Sequence, residues 1–195
     1  QEPVLTLGEL GDFDEFGTYP ITVARDGNDF VAYYAGWTRC ESVAFDVGIG
    51  MARSTDGGIS FQKLGKGPII SYSVDEPFIL SGPKIRKFDG AWQLWYIAGK
   101  KWVMADGKPE PVYRIRMATS ADGVHWTKQN RDLIPSKVED DEAQSSPDVF
   151  FHNGKYHMFF SYRYSTNYRG KEHGYRIGYA VSDDMYHWTR DDSKA

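Results

Sequence analysis

Short apolar runs, rich in aromatic residues and separated by turn-forming pairs, recur along the whole chain, and no stretch sustains a helical period or low complexity. The runs Phe30-Val31-Ala32-Tyr33-Tyr34, Trp92-Gln93-Leu94-Trp95-Tyr96 and Tyr156-His157-Met158-Phe159-Phe160 predict β-strands. Asn153-Gly154, between Val149-Phe150-Phe151 and the last of these, is a strong hairpin signal. Asp89-Gly90 and Asp26-Gly27 hold the matching places in two other copies.

The pattern is threefold. Tyr19-Pro20-Ile21, Gly82-Pro83-Lys84 and Ser146-Pro147-Asp148 open the copies at spacings of 63 and 64 residues. A third apolar run follows in each (49–54, 115–120 and 177–182), and each copy closes on an aromatic, Phe61, Trp126 or Trp188. Asp56-Gly57 and Asp122-Gly123 mark the turn between third and fourth strands, with Asp183-Asp184 as a weaker counterpart. Four short strands in a meander make one propeller blade. The chain is therefore expected to be an all-β propeller of three four-stranded blades, at about Gly11–Gly67, Asp75–Leu133 and Asp141–Asp192. Residues 1–10 read as the remnant of a preceding blade, because Pro3-Val4-Leu5 resembles the blade endings Pro68-Ile69-Ile70 and Leu133-Ile134-Pro135. Propellers close with about four to eight blades, so three are expected to form part of a larger, five-bladed ring or of a ring closed by self-association.

Composition narrows the partners. A net charge of −4 with dispersed Lys and Arg opposes a nucleic-acid ligand. No apolar run approaches the roughly 20 residues of a membrane helix, and a soluble chain without a membrane partner is expected. Cys40 is the only cysteine, which excludes an internal disulfide and a multi-cysteine zinc site and permits a cytoplasmic setting. The chain starts at Gln1 rather than Met, so an N-terminal signal is not assessable from it.

Candidate chemistry lies where the copies are acidic and where they differ. An Asp-Glu pair precedes the inner-strand proline each time, as Asp14-Glu15, Asp75-Glu76 and Asp141-Glu142. Inner strands line a propeller's axis, so these carboxylates are expected to converge as glycosidic cleavage requires, one donating a proton and the other acting as base or nucleophile. The alternative is charge in inter-blade linkers. Asp148 stands out because the other copies have Ile21 and Lys84 there. It reads as functional, or as a buried acid paired with a neighbour. Arg163 occurs where the other copies have Trp37 and Gly99. It reads as an anion-binding fork or as a salt-bridge partner of Asp148 or Glu142. Trp37 and Trp102 follow second strands and are candidates to stack on sugar rings, with inter-blade packing as the alternative. The long excursions 38–47, 100–113 and 163–175 are where binding function concentrates.

The histidines show no metal-ligand spacing, and His125 and His187 share a repeat position that points to structure. No metal or other cofactor is expected, although an acidic axis could hold Ca²⁺. Ser54-Thr55-Asp56-Gly57-Gly58-Ile59-Ser60-Phe61 fits the Asp-box of sialidase propellers, a turn-stabilising motif remote from the axis.

Ser146 to Tyr156, Ile177-Gly178-Tyr179-Ala180 and Ser182 to Trp188 resemble a blade of the five-bladed propeller glycosidases. The groups they are similar to are glycoside hydrolase families 43, 32, 68, 117 and 130. Gly82-Pro83-Lys84-Ile85, Trp92 to Tyr96 and Ser120 to Trp126 also resemble a divergent, uncharacterised branch of that superfamily. The likeness covers nearly the whole chain and specifies the fold better than the substrate. It implies an acid glutamate, for which Glu142 and Glu76 are candidates, a base in Asp14 or Asp75, and a tuning aspartate in Asp148. Lys84 and Tyr96 join Arg163, Trp37 and Trp102 as candidate substrate contacts. The chain lacks the Asp-Pro that commonly carries the base, because Tyr19, Gly82 and Ser146 precede its three prolines. Either the base lies in a missing blade or the reaction differs. The expected function is a glycoside hydrolase or phosphorylase acting on a carbohydrate ligand, and the alternative is a non-catalytic glycan-binding or assembly propeller. A sialidase would need an arginine cluster at the axis, which Arg163 alone does not supply.

Overall fold

The computed structural model describes residues 3–195, and Gln1 and Glu2 of the expected blade remnant lie outside the described residues. Three antiparallel meanders follow one another. The first comprises β1 (Gly17–Asp26), β2 (Asp29–Arg39), β3 (Phe45–Ser54) and β4 (Gln62–Lys63). The second comprises β5 (Leu80–Phe88), β6 (Ala91–Ala105), β7 (Lys108–Ser120) and β8 (Thr127–Lys128). The third comprises β9 (Ala143–His152), β10 (Lys155–Arg163), β11 (Arg176–Ser182) and β12 (Trp188–Arg190), followed by one turn of 3₁₀ helix at Asp192–Lys194.

Two first-to-second hairpins turn at the dipeptides read from the sequence, Asp89-Gly90 and Asn153-Gly154, whereas the first turns one residue later than Asp26-Gly27, at Gly27-Asn28 between the paired Asp26 and Asp29. Asp89-Gly90 and Asn153-Gly154 have positive φ at both residues, the geometry a right-twisted two-residue hairpin needs. The prolines explain a second shared feature. Proline cannot donate to the ladder, and each first strand slips register beside it, between Thr18 and Ile21, between Ser81 and Lys84, and opposite Phe159 and Ser161. The third-to-fourth turns are held by one aspartate each. Asp56 accepts from the backbone of Ile59 and Ser60, Asp122 from Val124 and His125, and Asp184 from Tyr186 and His187. His125 and His187 bond back to these same carboxylates.

The excursion at 100–113 departs from its reading as a loop. β6 and β7 continue through it as a hairpin that turns at Asp106-Gly107, again with positive φ at both residues. Lys100-Lys101 and the prolines at 109 and 111 interrupt the apolar pattern that would have revealed it.

The sheets stack face to face. Val31, Tyr33, Ile49 and Met51 of the first meet Leu94, Tyr96 and Ala118 of the second. Trp95, Ile115 and Met117 on the other side of the second meet Met158, Phe160 and Trp188 of the third. β1 touches β5 and β5 touches β9, whereas β1 and β9 do not touch, so the described residues form an arc. The far face of the third sheet shows what this leaves open. Tyr33 and Trp95 are wholly buried between sheets, but Phe159 at the same repeat position is 38% exposed. Ile49 and Ile115 are likewise buried, and their counterpart Ile177 is 65% exposed.

Candidate functional site

The acids upstream of the inner strands form a structural motif. Asp14, Glu76 and Glu142 are buried at equivalent points, and each pairs with the cation that its sheet's fourth strand places opposite an alanine of the third. Lys63 lies 2.6 Å from Asp14, Lys128 lies 2.5 Å from Glu76 and Arg190 lies 2.7 Å from Glu142. The hydroxyl of Tyr34 donates to Asp14, and that of Tyr96 to Glu76 at 2.7 Å. Arg116 adds a second cation at Glu76, and Glu142 accepts from the backbone of Lys137 and Val138. Each acid thus ties an inter-blade linker to the outer edge of its sheet. The structure thus places Glu142, Glu76 and Asp14, the expected acid and base candidates, each beside a counter-ion of its own sheet rather than converging on one another. Tyr96, a candidate substrate contact, is buried and donates to Glu76. Asp75 is exposed and contributes its carbonyl, to Arg116.

At the inner strands Asp148 is half exposed and bridges to the neighbouring blade, 2.9 Å from Lys84 and 2.6 Å from Arg86. Arg163 is not its partner, nor that of Glu142. Among the described residues no group of three His, Cys, Asp or Glu side chains is placed to hold a metal ion.

All three excursions meet instead around one cleft of about 620 Å³, lined by residues of 37–47, 102–113 and 163–175. Trp37, Phe45 and Trp102 make its apolar wall, with ring centroids 4.6 Å apart for Trp37 and Phe45 and 5.8 Å for Phe45 and Trp102. Phe78 stacks behind Trp102 at 5.7 Å. A Cβ on Gly99 would fall 2.3 Å from the Phe78 ring, so the glycine makes this backing possible. The floor includes Val47, Ile79, Ile97 and Ser81, whose nearly buried hydroxyl bonds to no described residue.

Arg163 organises the polar part of the lining and spends all its donors doing so. Its Nε donates to the Tyr175 hydroxyl, Nη1 to the carbonyls of Tyr164 and Ser165, and Nη2 to the Pro111 carbonyl and the Tyr113 hydroxyl. Its guanidinium lies 3.6 Å from the centre of the Tyr168 ring. It fastens the third excursion to the second. Beside it Glu110 accepts from the Tyr168 hydroxyl and from Arg169 at 2.5 Å. Burial pushes the Glu110 carboxyl up, but the bonds from Arg169 and Tyr168 outweigh it and hold the group below its ordinary value. Burial and the bond to Glu110 raise the Tyr168 phenol to about 12.

Of the ten candidate residues the structure brings Trp37, Trp102 and Arg163 together in the cleft. Lys84 and Asp148 lie together at the inner strands, outside the cleft lining. Sequence reasoning missed Phe45, Glu110, Tyr168, Arg169 and Tyr175. Their only signal was membership of, or a position next to, the long excursions.

Comparison with known proteins agrees with this architecture: the chain has the fold of the propeller glycosidases. It superposes on a protein solved as a complex with RGII with a TM-score of 0.73 at 17% identity, covering 95% of this chain and 60% of that one. A Bombyx mori β-fructofuranosidase of glycoside hydrolase family 32 gives 0.69 at 21% identity over 94% of this chain and 38% of that one. A thermostable family-43 glycoside hydrolase gives 0.67 at 19% identity, covering 89% of this chain and 54% of that one. At these identities the likeness is one of fold. In sequence, two uncharacterised Mycobacterium tuberculosis proteins are 33% identical over 187 residues, 96% of this chain. The chain spans 59% of the length of these curated relatives. No family model matches it. No helix among the described residues is long and apolar enough to cross a membrane.

Proposed function

We propose that the protein is a carbohydrate-active propeller that seats a glycan in the cleft between its three excursions. The observation that carries this is the lining of one cavity by two unlike sets of side chains: Trp37, Phe45 and Trp102, and Glu110, Tyr168 and Arg169. A sugar ring has apolar C–H faces and a hydroxyl rim, and such a cleft offers a stacking surface for the first and polar partners for the second. The solved neighbours named as glycoside hydrolases support the same class. Titration of a panel of oligosaccharides, followed by intrinsic tryptophan fluorescence, tests the proposal. Saturable binding that weakens on Trp102→Ala is expected, and a panel without any binder counts against it.

A bond-cleaving reading is favoured by one further observation, an ionised carboxylate inside the cleft. Glu110 is oriented by Arg169 and hydrogen-bonded to the Tyr168 hydroxyl, an arrangement suited to a base or to an electrostatic stabiliser. On this reading Glu110→Gln removes turnover while glycan binding persists. Equal turnover in the variant and the parent would exclude it.

A further inference from the structure

The cleft is not closed at its polar end. It opens past Lys108, Glu110 and Arg169 into a second cavity of about 490 Å³, lined also by Ala105, Asp106, Asn167 and Gly170. Asn167 and Gly170 in turn border a third, of about 350 Å³, that runs along Lys171–His173. The first two cavities share Lys108, Glu110 and Arg169 and the last two share Asn167 and Gly170, so the three adjoin one another along the tip of the β6–β7 hairpin and the 163–175 excursion. The ion pair between Glu110 and Arg169 makes a low saddle between the first two chambers.

The chambers differ in chemistry. In the first, Arg163 spends its donors on the protein, Tyr168 donates to Glu110, and Arg169 gives Glu110 one of its donors. The tryptophans add a stacking surface there. In the second, the side chains of Asp106, Lys108 and Asn167 make no hydrogen bond to any described residue, and no aromatic ring lines it. It suits hydroxyl groups rather than a sugar face. From this alternation, and resting on the glycan-binding reading above, we infer that the ligand is a chain of at least two sugar units lying across the Glu110–Arg169 saddle, one ring stacked on the tryptophans and the next hydrogen-bonded in the polar chamber. A lone monosaccharide would fill only the first chamber and forgo the second set of contacts.

Affinity should therefore depend on chain length. Ladders of gluco-, manno- and fructo-oligosaccharides from one to four units, titrated calorimetrically against the whole chain, read this directly. In whichever ladder binds, the gain from one unit to two is expected to be about tenfold or more, the equivalent of one or two good hydrogen bonds. Asn167→Gly removes one polar contact and keeps the backbone unstrained, because φ at Asn167 is +54°. It should cut the two-unit affinity several-fold and shrink the gain. Equal affinity for one, two and three units would overturn the inference while leaving glycan binding intact. Binding by no ladder would overturn the glycan reading and this inference with it, whereas a length-dependent gain insensitive to Asn167→Gly would place the second unit elsewhere and overturn the assigned path.

Discussion

Replacing Glu76 by Gln separates a structural from a catalytic role for the repeated acids. Glu76 is buried, accepts from Tyr96, and neutralises Lys128 at 2.5 Å and Arg116 at 3.3 Å. Removing one partner of a buried pair costs about 3–5 kcal/mol, because the other charge is left uncompensated. Two features place this case at the lower end. Arg116 keeps Asp132 at 2.9 Å, and the Lys128 side chain retains 16% exposure and a bond to the Ser71 carbonyl. A loss of about 3 kcal/mol in a chain of this size lowers Tm by roughly 6–12 °C. Circular-dichroism melts of Glu76→Gln, and of the double variant with Lys128→Met, make the assay. The double variant should recover most of the loss, since it leaves no orphan charge. A Glu76→Gln protein that melts within about 2 °C of the parent, well inside the shift expected from the cited costs, yet loses binding or turnover would refute the structural assignment.

Other positions bear on the stacking of the sheets and on the turns. Trp95 and Phe159 share a repeat position but not an environment, so Trp95→Ala should cost about 3–5 kcal/mol and Phe159→Ala under about 1 kcal/mol in denaturant unfolding. Similar losses at both would contradict the open face of the third sheet. The turn aspartates should stay ionised to unusually low pH. At Asp122 and Asp184 the bonds from His125 and His187 lead the effect, with backbone amides adding to it. At Asp56 the Ser60 hydroxyl leads. Their folded values lie below the unfolded value of about 3.9, so the stability they contribute is complete above that pH and is lost as pH falls through the folded values. NMR titration of the three carboxyls should find them moving below pH ~3.9. Titration at or above it would remove the turn-capping account.

The fold was legible because three copies of one pattern check one another. Prolines 20, 83 and 147 and the Asn-Gly and Asp-Gly turns recur at a fixed spacing, and a register break or hairpin occurs at each. The pairing of the acids was not legible, for a physical reason. A carboxylate beside an inner strand looks the same in sequence whether it faces the axis or a counter-ion, and the deciding cations, Lys63, Lys128 and Arg190, sit on fourth strands of two or three residues with no periodicity to mark them. Subtracting what every copy shares did point to Arg163, Trp37 and Trp102, and these do meet in the cleft. Glu110 and Tyr168 escaped because their pairing joins two excursions from different blades, a contact that no local pattern encodes.

The central claim is that the tryptophan-walled cleft holds a glycan. Calorimetric titration of the parent and of Trp102→Ala with the best-binding oligosaccharide tests it most directly. A Kd at least about tenfold weaker is expected in the variant, the cost of one lost stacking surface of about 1.4 kcal/mol, with Tm nearly unchanged because Trp102 is only partly buried. An unchanged Kd in a folded variant would place the ligand outside the cleft and contradict the claim.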